Sequence, residues 1–492
     1  MREQRPTGTN GEANSRIANP ESRSRVVCIS CCILNTLLGG SINVYSLYGP
    51  RFTRDLHLDQ YHVNTISTTA MMSLYILVPV WGRICQLTSP RLLSFIAGIL
   101  FGTSYLAIAS LFITHHISTL DHPRPAFLTL LLAYICIGAA TSSVLMSSII
   151  ACTQTLEKSP YKGFLSAVPI ACFGLSGILE SKVAVRLFCL PNKDIDLASF
   201  SSFLAIALFS TGMLGAWGLK SPDEVLDIRG HLQNSEERQT ASYGAIEPQQ
   251  LEGNVPTPDR DTHFPTALPK DPLLWWLSVA NLLIVGPTEV YNLNLGTLLQ
   301  SITGTDSVAN QISHHVALLA IVSTVARLSA GALSDCLQRE SSSTAEEQKY
   351  NLVSSPFVLF LAPAAFDVLG FLTLGTTVAR FPKAISLTSA SVGLSYASSL
   401  SLLPVTLSIW GTSQFPLAWG IISLAPAMGI GAFGYLYSVA YQHGMERGGG
   451  VAGFCVGALC YTPWAIICAL AVGMSIVCVL MAWLILSNRR HR

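Results

Sequence analysis

The chain has 492 residues, of which half are apolar and only 12% are charged, and its formal net charge is +1. Soluble proteins are about one quarter charged, so this composition excludes an ordinary water-soluble protein of this length and indicates a protein solvated mainly by lipid. The charge balance shows no basic excess that would suggest nucleic acid. We therefore expect the lipid bilayer and a small molecule as partners.

The first 25 residues are polar and predict a disordered tail, and an apolar run follows at residues 26–48. This run is too long for the apolar part of a signal peptide, so it predicts a retained membrane span. Cys28, Cys31 and Cys32 lie inside it. Because no second pair of ligands completes a metal site, we interpret them as buried thiols. We predict no metal and no cofactor.

Twelve apolar runs are each long enough, at about 20 residues, to cross a bilayer as a helix. They predict an all-α membrane protein of two six-helix bundles. The N-terminal bundle (residues 26–219) has spans at 26–48, 63–82, 92–113, 127–152, 164–188 and 197–218. The C-terminal bundle (residues 273–487) has spans at 273–298, 312–333, 357–378, 384–409, 417–441 and 462–486, and residues 488–492 form a tail.

The segment between the bundles, residues 220–272, is polar and contains several prolines, which predicts a flexible linker. Membrane orientation follows from the distribution of lysine and arginine, which are enriched on the cytosolic side. With the N-terminus in the cytosol, the cytosolic segments carry 19 such residues and the opposite side carries 8; without the linker the numbers are 14 and 8. Both termini and the linker are predicted to be cytosolic.

Short motifs follow spans two and eight. The segment that ends span eight contains Arg327 and then Gly331 and Asp335 in the spacing Gly-x-x-x-Asp, whereas span two ends on Gly82 and Arg83 without the aspartate. Glycine permits close approach of helices, and aspartate can cap a helix or pair with a base. We predict gating or structural roles for these five residues. Because the aspartate is missing after span two, the two halves are not expected to form a symmetric gate.

Two further stretches are distinctive. Span five contains Lys162-Gly-Phe-Leu and Phe173-Gly-Leu-Ser-Gly, and span seven contains Tyr291-Asn-Leu-Asn-Leu-Gly. Together with the six-plus-six plan and the Gly-x-x-x-Asp loop, they resemble the major facilitator superfamily. Within it, the chain is most similar to the fungal monocarboxylate-transporter-homologue proteins, a nodulin-like branch. That resemblance implies the superfamily fold and a multi-pass vacuolar membrane protein, but it does not imply a monocarboxylate substrate.

The strongest candidate for a functional residue is Glu289, near the middle of span seven beside Pro287. On a helix, Asn292 and Gly296 share its face, and Asn294 lies nearby. Transport sites lie near the midplane between repeated halves, and an ionisable group there is costly. A carboxylic acid in apolar surroundings favours its protonated form, so Glu289 is a candidate proton carrier. The alternative is a glutamate neutralised by a neighbouring helix, without a transport role.

Spans one and five supply the other candidates. Asn35 and Asn43 lie on one stripe of span one, near Tyr45, and are predicted to face the same cavity as Glu289. Helix packing explains this stripe equally well. Span five contains Glu180 and Lys182. Lys182 shares a face with Arg186, which would suit an anionic solute, although lysine can also extend along the helix to the membrane surface.

These features predict a secondary active transporter of a small solute, with an organic anion as one candidate, working by alternating access with proton coupling. One alternative is a transporter-like sensor without flux, which would be expected to carry a large folded cytosolic domain. A polytopic membrane enzyme is the other alternative. No intramembrane catalytic constellation, P-loop or HExxH motif supports it, so we predict that the protein is not an enzyme.

Overall fold

The structure is a computed structural model that describes residues 20–117, 123–155, 162–190, 195–219, 270–305, 308–343, 357–451 and 454–490. Some side chains within these ranges, including those of residues 400–417, are also left undescribed. The predicted linker at 220–272 therefore lies outside the described residues except for its last three. The predicted N-terminal tail is described only from Pro20, where the first helix begins, six residues before the predicted span.

The described part of the N-terminal half is helical. Its helices are α1 (Pro20–Leu38), α2 (Tyr45–Leu56), α3 (Gln60–Leu87), α4 (Pro90–Ile117), α5 (Pro123–Thr155), α6 (Lys162–Leu187) and α7 (Leu197–Gly218). A single membrane crossing comprises α1 and α2, which are separated by two glycines and the 3-10 turn Ser41–Val44. Aspartates cap two of the helices, since the Asp59 and Asp196 carboxylates accept the amide N–H groups of His62 and Ser199.

The C-terminal half contains α8 (Pro272–Thr303), α9 (Ala309–Ser343), α10 (Val358–Thr376), α11 (Ile385–Gly444) and α12 (Thr462–Arg490). The Asp271 carboxylate accepts the Leu273 amide N–H at 3.0 Å and so begins α8, which ends at Gly304 in the left-handed conformation. A short antiparallel pair, Gly450–Val451 with Phe454–Cys455, precedes α12. The predicted all-α class is confirmed, with this pair as a minor addition.

The sequence predicts spans ten and eleven as separate helices, whereas the structure assigns one uninterrupted helix, α11. Its contacts nevertheless require two crossings. The Asn281 side chain accepts a hydrogen bond from Ser399 Oγ at 3.1 Å and donates one to the Ile422 carbonyl at 3.3 Å. In a straight helix those two residues would lie about 35 Å apart, at 1.5 Å per residue. The segment therefore turns back, and we call residues 385–399 its first arm and 420–444 its second arm.

In the described part of the chain, eleven helices are long and apolar enough to cross a membrane. The second arm of α11 is among them. The first arm is continuous with residues whose side chains are not described, and the contacts of Asn281 add it as a further crossing. The architecture therefore agrees with twelve predicted spans, six in each half.

In each half, contacts join helix ends at one membrane face, where Val27 near the start of α1 also lies beside Gly218 at the end of α7. Arg91 at the start of α4 donates to the carbonyl of Leu219 after α7. Arg489 at the end of α12 pairs with Asp271 at the start of α8, at 2.6 Å. We call this face the terminal face and the opposite one the far face.

The halves meet at a boundary that we call the seam, where α8 contacts α2 and α3 and two further pairs of helices pack along their length. Helix α3 packs against the second arm of α11, and α6 packs against α9. Both pairs are antiparallel, because in each pair the start of one helix contacts the end of the other, as Ser313 of α9 contacts Ser181 of α6. Asn64 thus meets Ser438, while Pro79 lies beside Gly420 nearer the terminal face. The halves are in contact along much of the depth of the membrane.

The packing of α4 on α7 yields a direct test. A β-carbon at Gly212 would lie 2.5 Å from the Gly98 Cα and 2.8 Å from the Gly98 nitrogen, and neither backbone atom can move aside alone. We expect Gly212→Ala to lower the free energy of unfolding by about 1–3 kcal/mol, the usual cost of overpacking. The measurement is thermal unfolding of the purified full-length protein in detergent.

Gly82 is the matched control for this test, because no described atom lies within 4 Å of the position its β-carbon would take. In a helix, alanine is more favourable than glycine by roughly 0.5–1 kcal/mol, so Gly82→Ala should leave the unfolding temperature unchanged or raise it. Equal unfolding temperatures for the two variants would contradict the close α4–α7 contact.

Candidate functional site

Glu289 of α8 reaches across the seam to the N-terminal half. The Tyr75 hydroxyl of α3 donates a hydrogen bond to Glu289 Oε1 at 2.9 Å, and the glutamate is only 5% exposed. Two turns along α8, a β-carbon at Gly296 would lie 2.3 Å from the carbonyl oxygen of Ser46 in α2. The face of α8 that carries Glu289 and Gly296 therefore lies directly against the N-terminal half.

Pro287 affects the helix locally, next to Glu289. A proline inside a helix has no amide N–H to donate, so the carbonyl of Leu283 one turn earlier loses its usual partner. Asn292, one turn after Glu289, is 3% exposed. The middle of α8 is therefore a buried polar segment with a weakened backbone, a combination expected at a site where a helix must adapt to a ligand.

A chain of buried polar side chains joins the halves farther along α8. Gln60 Nε2 donates to Asn294 Oδ1 at 3.3 Å, and Asn294 Nδ2 donates to Asn64 Oδ1 at 2.9 Å. Asn64 Nδ2 in turn donates to Ser438 Oγ at 2.9 Å and to the Gly434 carbonyl. We call Gln60, Asn64, Asn294 and Ser438 the amide network. Because lipid offers no hydrogen bonds, these groups must satisfy one another across the seam.

A second polar chain lies within the C-terminal half. Ser389 Oγ of the first arm of α11 is 2.7 Å from the Tyr291 hydroxyl of α8 and 3.0 Å from His315 Nδ1 of α9. His315 is 6% exposed. This chain ties together α8, α9 and the first arm of α11.

Arg327 holds the other pair of helices at the seam. Its Nη1 donates to the Ile170 carbonyl of α6 at 2.9 Å, and the residue is 6% exposed. A β-carbon at Gly174 would lie 2.6 Å from that Nη1, so only glycine leaves room for the guanidinium. Thr324, one turn earlier, donates to the Ala171 carbonyl at 3.3 Å. The structure thus gives Arg327 a bridging role between the halves.

The candidates of span one do not share a cavity. Asn35 Nδ2 donates to Ser94 Oγ of α4 at 2.9 Å, inside the N-terminal half. The Tyr45 hydroxyl donates to the Val63 carbonyl at 2.7 Å and is also packed within that half. The prediction that Asn35 faces the same cavity as Glu289 is therefore wrong, and packing explains this part of the stripe.

Asn43 differs from its neighbours because it lies at the break in span one. Its amide donates to the Ser176 hydroxyl at 3.3 Å and to the Phe173 carbonyl at 3.4 Å, both in α6. A β-carbon at Gly177 would lie 3.7 Å from Asn43 Cβ and 3.1 Å from Val316 Cγ1 of α9. Asn43 therefore reaches the seam between α6 and α9.

The two candidates of span five have opposite surroundings. Glu180 is 2% exposed, and neither of its carboxylate oxygens has a hydrogen-bond partner among the described residues. Lys182 and Arg186 are both exposed. That this cationic pair meets an anionic solute stays a prediction.

The predicted gating residues are only partly described. Gly82 has no described atom within 4 Å of the position its β-carbon would take, and Arg83 is exposed, so their gating or structural roles stay predictions. Gly331 and Asp335 lie within α9, in a stretch where their side chains are outside the described ones. Among the five, Arg327 is the residue that the structure brings to the seam.

The far face of the seam is closed around a pocket of about 30 Å³, roughly enough for one water molecule. Arg51 and Arg54 of α2 line one side, and Gln300 of α8 lines the other. Arg51 is paired with Asp55 through a 2.6 Å hydrogen bond. The far end of the seam is held shut by the contacts of α8 with the N-terminal half, which join Gly296 to Ser46 and Asn294 to Gln60 and Asn64.

The amide network yields a testable difference. Asn294→Ala leaves Gln60 and Asn64 without their partner, so the far part of the seam should open more often. Asn281→Ala is the matched control, because Asn281 bonds only within the C-terminal half, to Ser399 and Ile422. Each change should cost about 1–3 kcal/mol of stability. Only Asn294→Ala should speed hydrogen–deuterium exchange at the start of α3; equal exchange in both variants would contradict a role at the seam.

Comparison with known proteins identifies relatives over most of the chain, although no protein-family model matches it. The "Probable transporter mch1" of Aspergillus fumigatus is 32% identical over 533 aligned residues, covering 93% of this chain and 86% of that protein. Its namesake in Neurospora crassa is 29% identical, covering 94% of this chain and 88% of that protein. The Saccharomyces cerevisiae protein of the same name is 25% identical, covering 85% of each.

Among solved structures, the Escherichia coli fucose:proton symporter FucP matches with a TM-score of 0.51 at 13% identity. The match covers 94% of this chain and 99% of that one. At this identity the likeness shows the fold alone, and it confirms the predicted major facilitator fold. The names of the relatives confirm the expectation of a transporter rather than an enzyme. The chain belongs to the fungal MCH1 family of probable transporters, the monocarboxylate transporter homologues.

Proposed function

We propose that this protein moves a small solute across the vacuolar membrane by alternating access, and that Glu289 couples the movement to protons. The observation that carries the proposal is the hydrogen bond between Tyr75 of one half and Glu289 of the other, buried at the seam. It places an ionisable group where the two halves must separate. Such groups inside a membrane are costly and mark ion and substrate pathways.

Alternating access requires that either end of the seam can open while the other stays shut. At the far end, the amide network and the contact of Gly296 with Ser46 close the route. Toward the terminal face, a β-carbon at Gly420 would lie 3.2 Å from Pro79. A rocking motion of the halves about the middle of the seam would separate one end and compress the other. The Tyr75–Glu289 bond lies between these ends.

Protonation of Glu289 supplies the coupling. A carboxylate accepts a stronger hydrogen bond than a neutral acid does, so the ionised form favours the closed seam through Tyr75. Uptake of a proton weakens that bond and shifts the population toward an open conformation. A protein of the same fold is a fucose:proton symporter, so proton coupling is compatible with this architecture.

The solute would bind near the middle of the seam, beside Glu289, Asn292 and Asn43. An organic anion remains a candidate through Arg327, which is buried at the seam, and through Lys182, which is exposed on α6. The amides supply both donors and acceptors, so they suit a solute that carries hydroxyl or carboxylate groups.

We further propose that the termini face the cytosol and the far face meets the vacuolar lumen. The bias of basic residues supports this orientation, and the family resemblance supports the vacuole. A disulfide adds support, since Cys455 and Cys460 are bonded in a loop whose Gly457 amide donates to the Ser301 carbonyl at the far end of α8. Disulfides belong to compartments outside the reducing cytosol.

The coupling role of Glu289 is tested with Glu289→Gln in proteoliposomes, after a solute screen on the wild-type protein. Glutamine keeps the size and hydrogen bonding of the side chain but cannot exchange a proton. Uptake driven by a pH gradient should fall about tenfold or more, since a hydrogen bond to a charged group contributes roughly 1.5–3 kcal/mol. Exchange of solute without a gradient should persist.

The control for this experiment is Glu446→Gln, because Glu446 is an exposed glutamate in the far-face loop, with 64% of its side chain accessible. This variant should retain both activities. A Glu289→Gln protein with normal pH-driven uptake would contradict the proposed coupling, and a wild-type protein that carries no solute in the screen would count against transport itself.

Orientation and location are tested together through Cys189, an exposed thiol whose backbone pairs with Ile195 beside Arg51 at the far face. In intact vacuoles, a membrane-impermeant maleimide should label it only after permeabilisation. Cys189→Ser should remove that signal and thereby identify the thiol. Labelling of Cys189 in intact vacuoles, or a tagged protein confined to the plasma membrane, would contradict this part of the proposal.

A further inference from the structure

Glu180 is a buried acid that the proposed coupling through Glu289 does not use. It is 2% exposed, and both of its carboxylate oxygens are buried without a hydrogen-bond partner among the described residues. An ionised carboxylate in such a place has neither water nor a counter-charge, which is strongly unfavourable. In this conformation Glu180 must therefore carry a bound proton.

The position of Glu180 connects it with opening of the seam. The neighbouring Ser181 hydroxyl lies 3.4 Å from Ser313 Oγ of α9, and Gly177, one turn earlier, lies against Val316 of α9. These two contacts join α6 to the other half on either side of Glu180. Separation of α6 from α9 at this level would admit water to the acid.

The depth of Glu180 shows from which side that water comes. It lies seven residues, or about 10 Å, before the end of α6, and Ser313 lies one turn after the start of α9. Both of those helix ends are at the far face. When the far end of the seam opens, Glu180 is exposed to the far-face solution. When the terminal end opens, the contacts around Glu180 stay closed.

Asp367 provides a contrast within the same protein. It is also an acid, fully buried at 0% exposure, in the middle of α10. Helix α10 packs on α11 and α12, inside the C-terminal half, so a rocking motion of the halves leaves its surroundings intact. Burial of an acid alone does not link it to the conformational change, whereas the location of Glu180 at the seam does.

We propose that Glu180 is a second proton-binding site, which takes up one proton from the far-face solution when the far end of the seam closes and returns it to the same side on opening. The carboxylate becomes a neutral acid on closing, and the acid releases the proton to water on opening. This inference rests on the proposed alternating access. It adds a function distinct from that of Glu289, because Glu180 carries no proton across the membrane and makes closure depend on far-face pH.

No described group near Glu180 is placed to neutralise the charge of its carboxylate, so a bound proton has to do so. The elements packed on α6 are α9, α1, α5 and the turn Ser41–Val44, which continues into α2. The described titratable or charged residues of these elements and of α6 itself are Lys182, Arg186 and Cys172 on α6, His314, His315 and Arg327 on α9, Arg25, Cys28, Cys31 and Cys32 on α1, Tyr134, Cys136 and Cys152 on α5, and Tyr45, Arg51, Arg54 and Asp55 on α2. The two basic residues of α6 are exposed, Arg51 is paired with Asp55, and His315 contacts Ser389. None of them offsets the burial of Glu180.

The experiment follows closure of the seam without any solute. Ser313→Cys is introduced with Cys189→Ser in the full-length chain, which is reconstituted into proteoliposomes with the far face outward. The rate at which an impermeant maleimide labels the thiol introduced at position 313 then reports how often α6 and α9 separate. Labelling is measured at several external pH values with the internal pH held constant, and then with the two reversed.

Lower external pH should slow labelling beyond the intrinsic effect of pH on the thiol, and internal pH should have little influence. Glu180→Gln, a neutral mimic of the protonated acid, should label slowly at every pH. Glu180→Asp retains an acid and should retain the dependence on external pH. Asp367→Asn, introduced into the same Ser313→Cys, Cys189→Ser protein, should show the same labelling rates as that protein. It serves as the control for removal of a buried acid away from the seam.

Parental pH dependence in Glu180→Gln would overturn the proposal, as would an equal loss of pH dependence in Asp367→Asn. The labelling result does not depend on whether the protein transports a solute. A protein that shows this gating but carries no solute would refute the proposed transport function and leave the proton site at Glu180 in place.

Discussion

A membrane interior provides no water to satisfy a polar group, and this constraint governs the boundary between the two halves of the protein. A polar group at the seam needs a hydrogen-bond partner. An ionisable group that finds none must take its neutral form. Tyr75 bonds to Glu289, the amide network connects α3 with α8 and α11, and Arg327 bonds to α6 over a glycine. Glu180, without such a partner among the described residues, is expected to hold a proton.

The same constraint explains how the halves can both hold together and separate. Lipid surrounds both halves, so little hydrophobic force favours one helix partner over another, and packing and hydrogen bonds decide the contact. Each such bond contributes about 1 kcal/mol, and the two antiparallel helix pairs divide the bonds between the ends of the seam. One end can therefore open at moderate cost while the other end remains closed. Small residues such as Gly174 and Gly434 allow the close approach that these bonds need.

The sequence predicted the helical spans well, because length and hydrophobicity decide membrane insertion, and it selected Glu289 because a charge inside an apolar run is unusual. It missed Tyr75, Gln60 and Asn64, whose importance depends on which helices become neighbours. Helical periodicity identifies the face of a side chain but not what that face meets, so Asn35 was assigned to the cavity although it bonds to Ser94 inside the N-terminal half. A search for polar residues within span two would have pointed to Tyr75 in its middle and Asn64 at its start.

The central claim is that the halves rock about a seam whose closure depends on protonation. The most direct test is the distribution of distances between probes on the two halves at the far face, for example at the exposed positions Asp59 and Gln311, measured by pulsed electron paramagnetic resonance in lipid nanodiscs. Bio-orthogonal labels are needed because the chain has thirteen cysteines. The account predicts two populations, a short and a long distance, whose proportions change with pH. A single distance at all pH values would contradict it.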